Sequence, residues 1–253
     1  MQRTMLCGLL VAAVVCGVVA FTEPSQTVLA QGPGATCRSV PTARQLRALL
    51  GQAADPANGG IVGGLFEGTR MWAAVVNRSG ELCAAATSTD DPTQVWPGSQ
   101  AIAKHKAYTA NAFSLDVLAL STARLYTFTQ PGHSLWSLGQ SNLYNANLLL
   151  APGGSGDRNQ IAGGLIFFGG GVPIYRDGQI VGGLGVSGDT SCADHEIAKR
   201  MRNVGGMNPP GGALADDIVY SSAEGPSVFA HPLCLNTFRN GNFMGTESSA
   251  QYP

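Results

Sequence analysis

Two pairs of short apolar runs, each joined by a tight polar turn, dominate the hydrophobic pattern of this chain. Met71 to Asn77 and Leu82 to Thr87 flank Arg78-Ser79-Gly80, which predicts a hairpin. The run ending at Tyr175 and the run from Gln179 to Ser187 flank Arg176-Asp177-Gly178. Asp-Gly is a strong hairpin signal because a two-residue turn needs positive φ, where glycine carries no steric cost. Gly188 ends the second run, and Ser191-x-x-Asp194 predicts a capping box that opens a helix. Upstream, Pro41 to Ala54 carries Leu46, Leu49 and Leu50 at helical spacing. Ser99 is placed to cap a helix reaching about Phe113, and a further helical segment is expected from Leu115 to about Leu125. Ile161 to Phe168 is a continuous apolar run, expected as the central strand.

Between these elements, Gln130 to Arg158 has no steady period and is broken at Pro131-Gly132, Gly139 and Pro152-Gly153-Gly154. So long an irregular connection is expected to shape a binding site or contact. Everything after Gly205 reads as loop and tail. The order is helix, hairpin, two helices, long connection, three strands, helix. That is an α+β class, with an antiparallel sheet carrying helices packed on one face.

The first thirty residues change the picture of the chain's surroundings. Arg3 followed by the apolar stretch Met5 to Phe21 predicts a signal peptide over residues 1–30, with small-residue cleavage sites at Val28-Leu29-Ala30 or Val18-Val19-Ala20. The stretch is short for a membrane span, which needs about twenty apolar residues. The expectation is therefore a periplasmic or secreted protein without stable membrane insertion after cleavage. Residues 31–40 form an N-terminal segment, 41–203 the domain and 204–253 a C-terminal extension. With 12% charged residues, a formal charge of −1 and no basic run, the chain lacks the electrostatic footprint of a nucleic-acid binder. Low charge with abundant glycine suits close packing and a homo-oligomer.

Export gives the cysteines meaning. Once Cys7 and Cys16 leave with the signal, Cys37, Cys83, Cys192 and Cys234 remain, and four cysteines allow three pairings. The favoured one joins Cys37 to Cys83 and Cys192 to Cys234. It ties the N-terminal segment to the first hairpin and the tail to the helix after Ser191. Each bridge would close a loop of about forty residues and contribute roughly 3–4 kcal/mol in the chain-entropy picture. No C-x-x-C is present, and Cys192-x-x-His195 alone is a weak zinc signal.

Several enzyme signatures fail on context. Gly183-Leu184-Gly185-Val186-Ser187-Gly188 has dinucleotide-binding spacing, but it follows the second arm of a hairpin and no parallel strand comes after the helix. Ser187 is not in a G-x-S-x-G elbow. Asp189, Asp194 and Glu196 are carboxylates at a helix start, where they complement the helix dipole. No catalytic residue is assigned.

Three ordered motifs carry a family resemblance. They are Ala103-Lys-His-Lys106-Ala107-Tyr-Thr109-Ala110, the core Gly169-Gly-Gly-Val-Pro-Ile with Asp177-Gly178 and Val181 to Gly188, and Asp194-His-Glu196-Ile197-Ala198. Over residues 41–203 the chain resembles the GlcG/HbpS-like haem-binding proteins, related to the PduO C-terminal domain. It stands out as an exported form with extra cysteines and a C-terminal tail. The resemblance implies a single PAS/profilin-like domain, symmetric oligomers, haem as cofactor, and in some members haem degradation or iron handling.

The resemblance directs attention to Lys106 and Thr109. Lys106 would pair with a haem propionate or else run along the sheet edge, and Thr109 would bond in the pocket or else back-bond to its own helix. Of the four histidines, His105 between Lys104 and Lys106, and His133 near Tyr126, Trp136 and Tyr144, are the candidate ligands for haem iron. Each could equally be a solvated surface residue. His195 is expected on a helix surface and His231 in a structural role. The expected function is an exported, non-covalent haem-binding protein in haem or iron handling. The alternatives are a peroxide-dependent haem-degrading enzyme, or a structural or sensory oligomer holding another small molecule.

Overall fold

The structure is a computed structural model that describes residues 36–140, 144–146 and 160–247. The expected signal peptide and part of the long irregular connection lie outside the described residues. Among those described, no helix is long and apolar enough to cross a membrane.

Both predicted hairpins form. Strand β1 (Trp72–Asn77) pairs antiparallel with β2 (Leu82–Thr87), and β3 (Gly171–Arg176) with β4 (Gln179–Ser187). The second hairpin turns on Asp177 and Gly178, both at positive φ (50° and 80°), as a twist-matched two-residue turn requires. β1 and β4 are also antiparallel neighbours, so the sheet order is β2-β1-β4-β3. Three main helices pack on this sheet: α1 (Ala43–Ala54), α2 (Pro97–Ala112) and α3 (Ser191–Val204).

The helices cover both faces of the sheet, not one. Side chains alternate along β1. Ala73 and Val75 join a core with Leu46, Leu50 and Ala53 of α1 and Ile197, Ala198 and Met201 of α3. Trp72, Ala74 and Val76 point the other way, into a second core with Ala103 and Ala107 of α2. β1 is buried along its whole length. A continuous apolar run rather than strict alternation is the sequence mark of a strand covered on both sides.

The glycines of β4 explain why the dinucleotide-like spacing is not a cofactor loop. A Cβ on Gly183 would lie 2.1 Å from the Ala107 carbonyl oxygen, and one on Gly185 would lie 2.0 Å from that of Ala103. These positions let the backbone of α2 rest directly on the sheet. Gly185→Ala is expected to lower stability by about 1–3 kcal/mol or more, because backbone cannot rotate out of the way as a side chain can. Urea-unfolding midpoints of the two proteins would measure it.

Other local expectations are corrected. α2 begins two residues before Ser99, with Pro97 in its first turn and no side-chain cap from Trp96. Proline presets the helical φ and has no N–H to leave unsatisfied there. α3 is capped by Thr190, whose hydroxyl accepts from the Ala193 N–H, and not by Ser191. No helix fills Leu115 to Leu125; only Thr122–Leu125 forms a short 3-10 turn. The polar groups there are committed elsewhere: Ser114 Oγ bonds Leu120, and Asp116 accepts from the Ile180 N–H at the start of β4. Ile161 to Phe168 is not the central strand. It meets the first hairpin at the bridge Glu81↔Ile161 and buries Ala162 in the second core, but positive φ at Gly163 and Gly164 keeps it from continuing as a strand.

The residues after Gly205 are packed structure. A short parallel pair, β5 (Val219–Tyr220) with β6 (Ala230–His231), and a hairpin, β7 (Thr237–Arg239) with β8 (Asn242–Gly245), lie within the compact unit. They cover α3, so that every residue from Cys192 to Arg202 is buried. Both favoured disulfides are present, Cys37–Cys83 and Cys192–Cys234.

Candidate functional site

The residues singled out on α2 fan out from one helix toward three environments. Ala103, Ala107 and Ala110 are buried, and the first two meet the β4 glycines. Lys106 turns toward the start of α3. Its Nζ donates to Asp194 Oδ2 at 2.7 Å and to the Val186 carbonyl at 3.0 Å, and sits 4.8 Å from the centre of the Phe168 ring. Both partners are sealed, with side-chain exposures of 0% and 2%. Lys106 is thus the centre of a buried ion pair and does not run along a sheet edge. Burial pushes Asp194 up to about 6 against the pull of Lys106, and burial pushes Lys106 down against the pull of Asp194.

That pair is the middle of a longer chain of polar contacts. Asp194 Oδ1 accepts from the Asp189 N–H at 2.9 Å, and the Asp189 carboxylate accepts from the N–H groups of Leu65, Phe66 and Thr190. α2, the end of β4, the loop before β1 and the start of α3 are locked together this way. The carboxylates expected as helix-dipole partners instead hold the fold at its centre. Thr109 bonds structurally: its hydroxyl donates to the His105 carbonyl at 2.8 Å and accepts from the Ile166 N–H at 3.0 Å.

His105 faces the opposite edge of α2. It is half-buried, with its ring 5.8 Å from that of Tyr144. A Cβ on Gly164, where φ is +69°, would fall 2.6 Å from His105 Cγ, so the glycine makes room for the imidazole. Its Nε2 is buried without a hydrogen-bond partner. Burial, aided by the charge of Lys104, pushes its pKa down, which favours the neutral imidazole at neutral pH. His133 is exposed, in a turn closed by the Trp136 N–H on the His133 carbonyl.

His195 departs from its expected place, whereas His231 has the structural role expected of it. His195 is buried rather than on a helix surface, with Nε2 3.3 Å from Asp217 Oδ1. His231 is buried against the ring of Tyr126; Nδ1 donates to the Pro232 carbonyl at 2.7 Å and Nε2 accepts from the Gly169 N–H at 3.2 Å. Burial pushes its pKa down to about 3. Asp216 and Asp217, absent from the sequence candidates, form buried pairs with Arg202 and Lys199. The favoured Cys192–Cys234 bridge was the one sequence signal that this region returns to α3.

Two concavities lie away from α2. One, about 650 Å³, opens between α1, the β3–β4 turn and the end of α3, lined by Arg38, Gln45, Leu49, Arg176, Val181 and Met207. Another, about 380 Å³, is bordered by Asn58, Lys199, Asn203, Leu214, Asn240 and Asn242. Neither is lined by a histidine.

Fold and site together define a mixed α+β protein whose central helix carries the buried Lys106–Asp194 ion pair and the unsatisfied imidazole of His105. The family described as haem degrading protein HbpS-like matches residues 64–202, more than half of the chain, and the chain belongs to that family. It is similar to the corrinoid adenosyltransferase PduO of Salmonella typhimurium strain LT2, 31% identical over 101 residues. That match covers 40% of this chain and only 23% of the relative. Among solved structures it is similar to Klebsiella pneumoniae protein ORFY, with 23% identity, a TM-score of 0.43 and coverage of 63% of this chain and 83% of the other. It is also similar to PduOC in complex with haem, with 24% identity, a TM-score of 0.42 and coverage of 64% and 92%.

Proposed function

We propose that this protein is an exported haem-binding member of the HbpS-like family, with His105 as an iron ligand. The observation that carries the ligand assignment is the buried, unpartnered Nε2 of a neutral imidazole on the motif helix. Imidazole is a common axial ligand of haem iron, and a buried lone pair without a donor favours gaining a partner. The fit to haem is partial. Lys106, expected as a propionate partner, is committed to Asp194, so the carboxylates would need other partners. A bound haem would supply the redox-active iron; this chain's part is to present His105 and keep Gly164 small beside it. Export is supported by the apolar stretch Met5 to Phe21 and by two disulfides, which persist in oxidising compartments. Iron handling and self-association belong to the same proposal, and the family's description names haem degradation as the alternative activity.

Haemin titration of the protein recovered from oxidising export, followed at the Soret band, is expected to saturate at one haem per chain. His105→Ala should weaken binding at least about tenfold, a loss of ~1.4 kcal/mol, with His133→Ala near wild type. Loss in His133→Ala alone would transfer the ligand role to that residue. A response no larger than that of an unrelated control protein would sink the haem proposal. Bleaching of the band on peroxide addition would instead favour the degrading enzyme.

A further inference from the structure

The Cys192–Cys234 disulfide lies against an imidazole whose geometry is that of a metal ligand. A sulfur from each cysteine and a ring nitrogen of His231 all lie within 4.8 Å of one another, and all three residues are buried. The Nδ1–H of His231 is held by the Pro232 carbonyl at 2.7 Å, which fixes the tautomer and leaves the lone pair on Nε2. A second partner of this kind is the usual support of a metal-bound histidine. Nε2 is 3.5 Å from Ser191 Oγ, which is itself 3.3 Å from Cys234 Sγ. The start of α3 adds a donor, since the Cys192 N–H points at Cys234 Sγ from 3.2 Å. A helix N-terminus stabilises a thiolate placed there.

We infer that Cys192, Cys234 and His231 form a site for a soft monovalent metal ion, Cu(I), when the disulfide is open. Opening requires a dithiol reductant: its two S–H groups become a disulfide, and the Cys192–Cys234 bond becomes two thiols. Cu(I) binding then releases the two thiol protons and displaces the Gly169 N–H from Nε2. Three ligands with two thiolates suit Cu(I), whereas structural zinc is almost always four-coordinate. While the bridge is closed the sulfurs are bonded to each other and the site does not exist. Reduction and metal loading are therefore coupled, and the coupling is independent of the haem proposal, which rests on His105.

The test uses the full chain carrying Cys7→Ser, Cys16→Ser, Cys37→Ser and Cys83→Ser, reduced anaerobically with a dithiol that is then removed. Cu(I) is titrated against a chromophoric Cu(I) chelator. The expected result is one Cu(I) per reduced chain, none in the oxidised chain, and affinity at least about tenfold lower in His231→Gln. X-ray absorption of the loaded chain is expected to show two sulfur ligands and one nitrogen. Equal affinity in His231→Gln, a shell of sulfur alone, or loss of the native near-ultraviolet circular dichroism on reduction would each overturn the inference.

Discussion

Replacing Lys106 by methionine is expected to cost about 3–5 kcal/mol at pH 7, because removing one partner of a buried ion pair strands the other. The stranded group is Asp194, sealed with Lys106 between α2 and α3. Its carboxyl already stands at about 6, above its ordinary 3.8, since burial outweighs the attraction of Lys106. A raised folded value means that the contribution of Asp194 to stability is complete below pH 3.8 and is lost as pH rises through about 6. Without Lys106 the carboxyl moves higher still, so the penalty at pH 7 grows while at pH 5 the protonated acid carries little. The stability gap between Lys106→Met and wild type should therefore shrink markedly from pH 7 to pH 5, as read from urea unfolding at the two values. Lys106→Met with Asp194→Leu should recover most of the loss, because an apolar pair removes both desolvation costs. A gap independent of pH would show that Asp194 is not the stranded group.

Lys106 also shows where sequence stops. The three main helices, both hairpins, the Asp177-Gly178 turn and both disulfides were legible, because local periodicity, turn chemistry and cysteine spacing carry them. The second helical layer was not. β1 reads as a plain apolar run, and nothing local says which of its two faces meets which helix. Ile161 to Phe168 has the apolar content of a strand, but Gly163-Gly164, both at positive φ, breaks it. α3 misled in a related way. Glu196, Lys199, Arg200 and Arg202 form the charged side of an amphipathic helix, which normally faces water. Here Arg200 is held by the carbonyls of Gly59, Gly60 and Ile61, and the rest of that side is buried under residues after Gly205, whose few strand-like residues carry no periodic signal. Of the candidate site, the sequence placed His105, Lys106 and Thr109 on one helix. It could not say that Lys106 is committed to Asp194, 88 positions away, while the Nε2 of His105 is left without a partner.

The strongest consequence concerns that last segment: ending the chain after Val204 is expected to abolish cooperative folding. Arg202 would lose both carboxylate oxygens of Asp216 and the Ala213 carbonyl, keeping only its bond to the Pro173 carbonyl at 3.3 Å. Lys199 would lose Asp217 and Asn240, and Gly169 would lose its acceptor on His231. The Cys192–Cys234 bridge would go too. Loss of the Arg202–Asp216 pair costs about 3–5 kcal/mol and loss of the disulfide about 2–5 kcal/mol, together a large share of the ~5–15 kcal/mol that holds a domain folded. Asp216→Ala isolates one step of this and should cost about 3–5 kcal/mol while leaving both disulfides in place. Asp217 supplies a second signature, in acid. Burial pushes its carboxyl up, but the nearby His195 imidazole and the hydrogen-bonded charge of Lys199 more than offset this and hold it below the ordinary value of 3.8. Its stabilisation is therefore complete above that value and is lost as pH falls toward the folded one, so Asp217→Asn should flatten the acid limb of the stability curve. Thermal unfolding and near-ultraviolet circular dichroism would read all three proteins. A truncated chain that still melted in one sharp transition near the wild-type temperature would mean that α3 is held by the sheet and α1 alone, and that its buried charges find other partners.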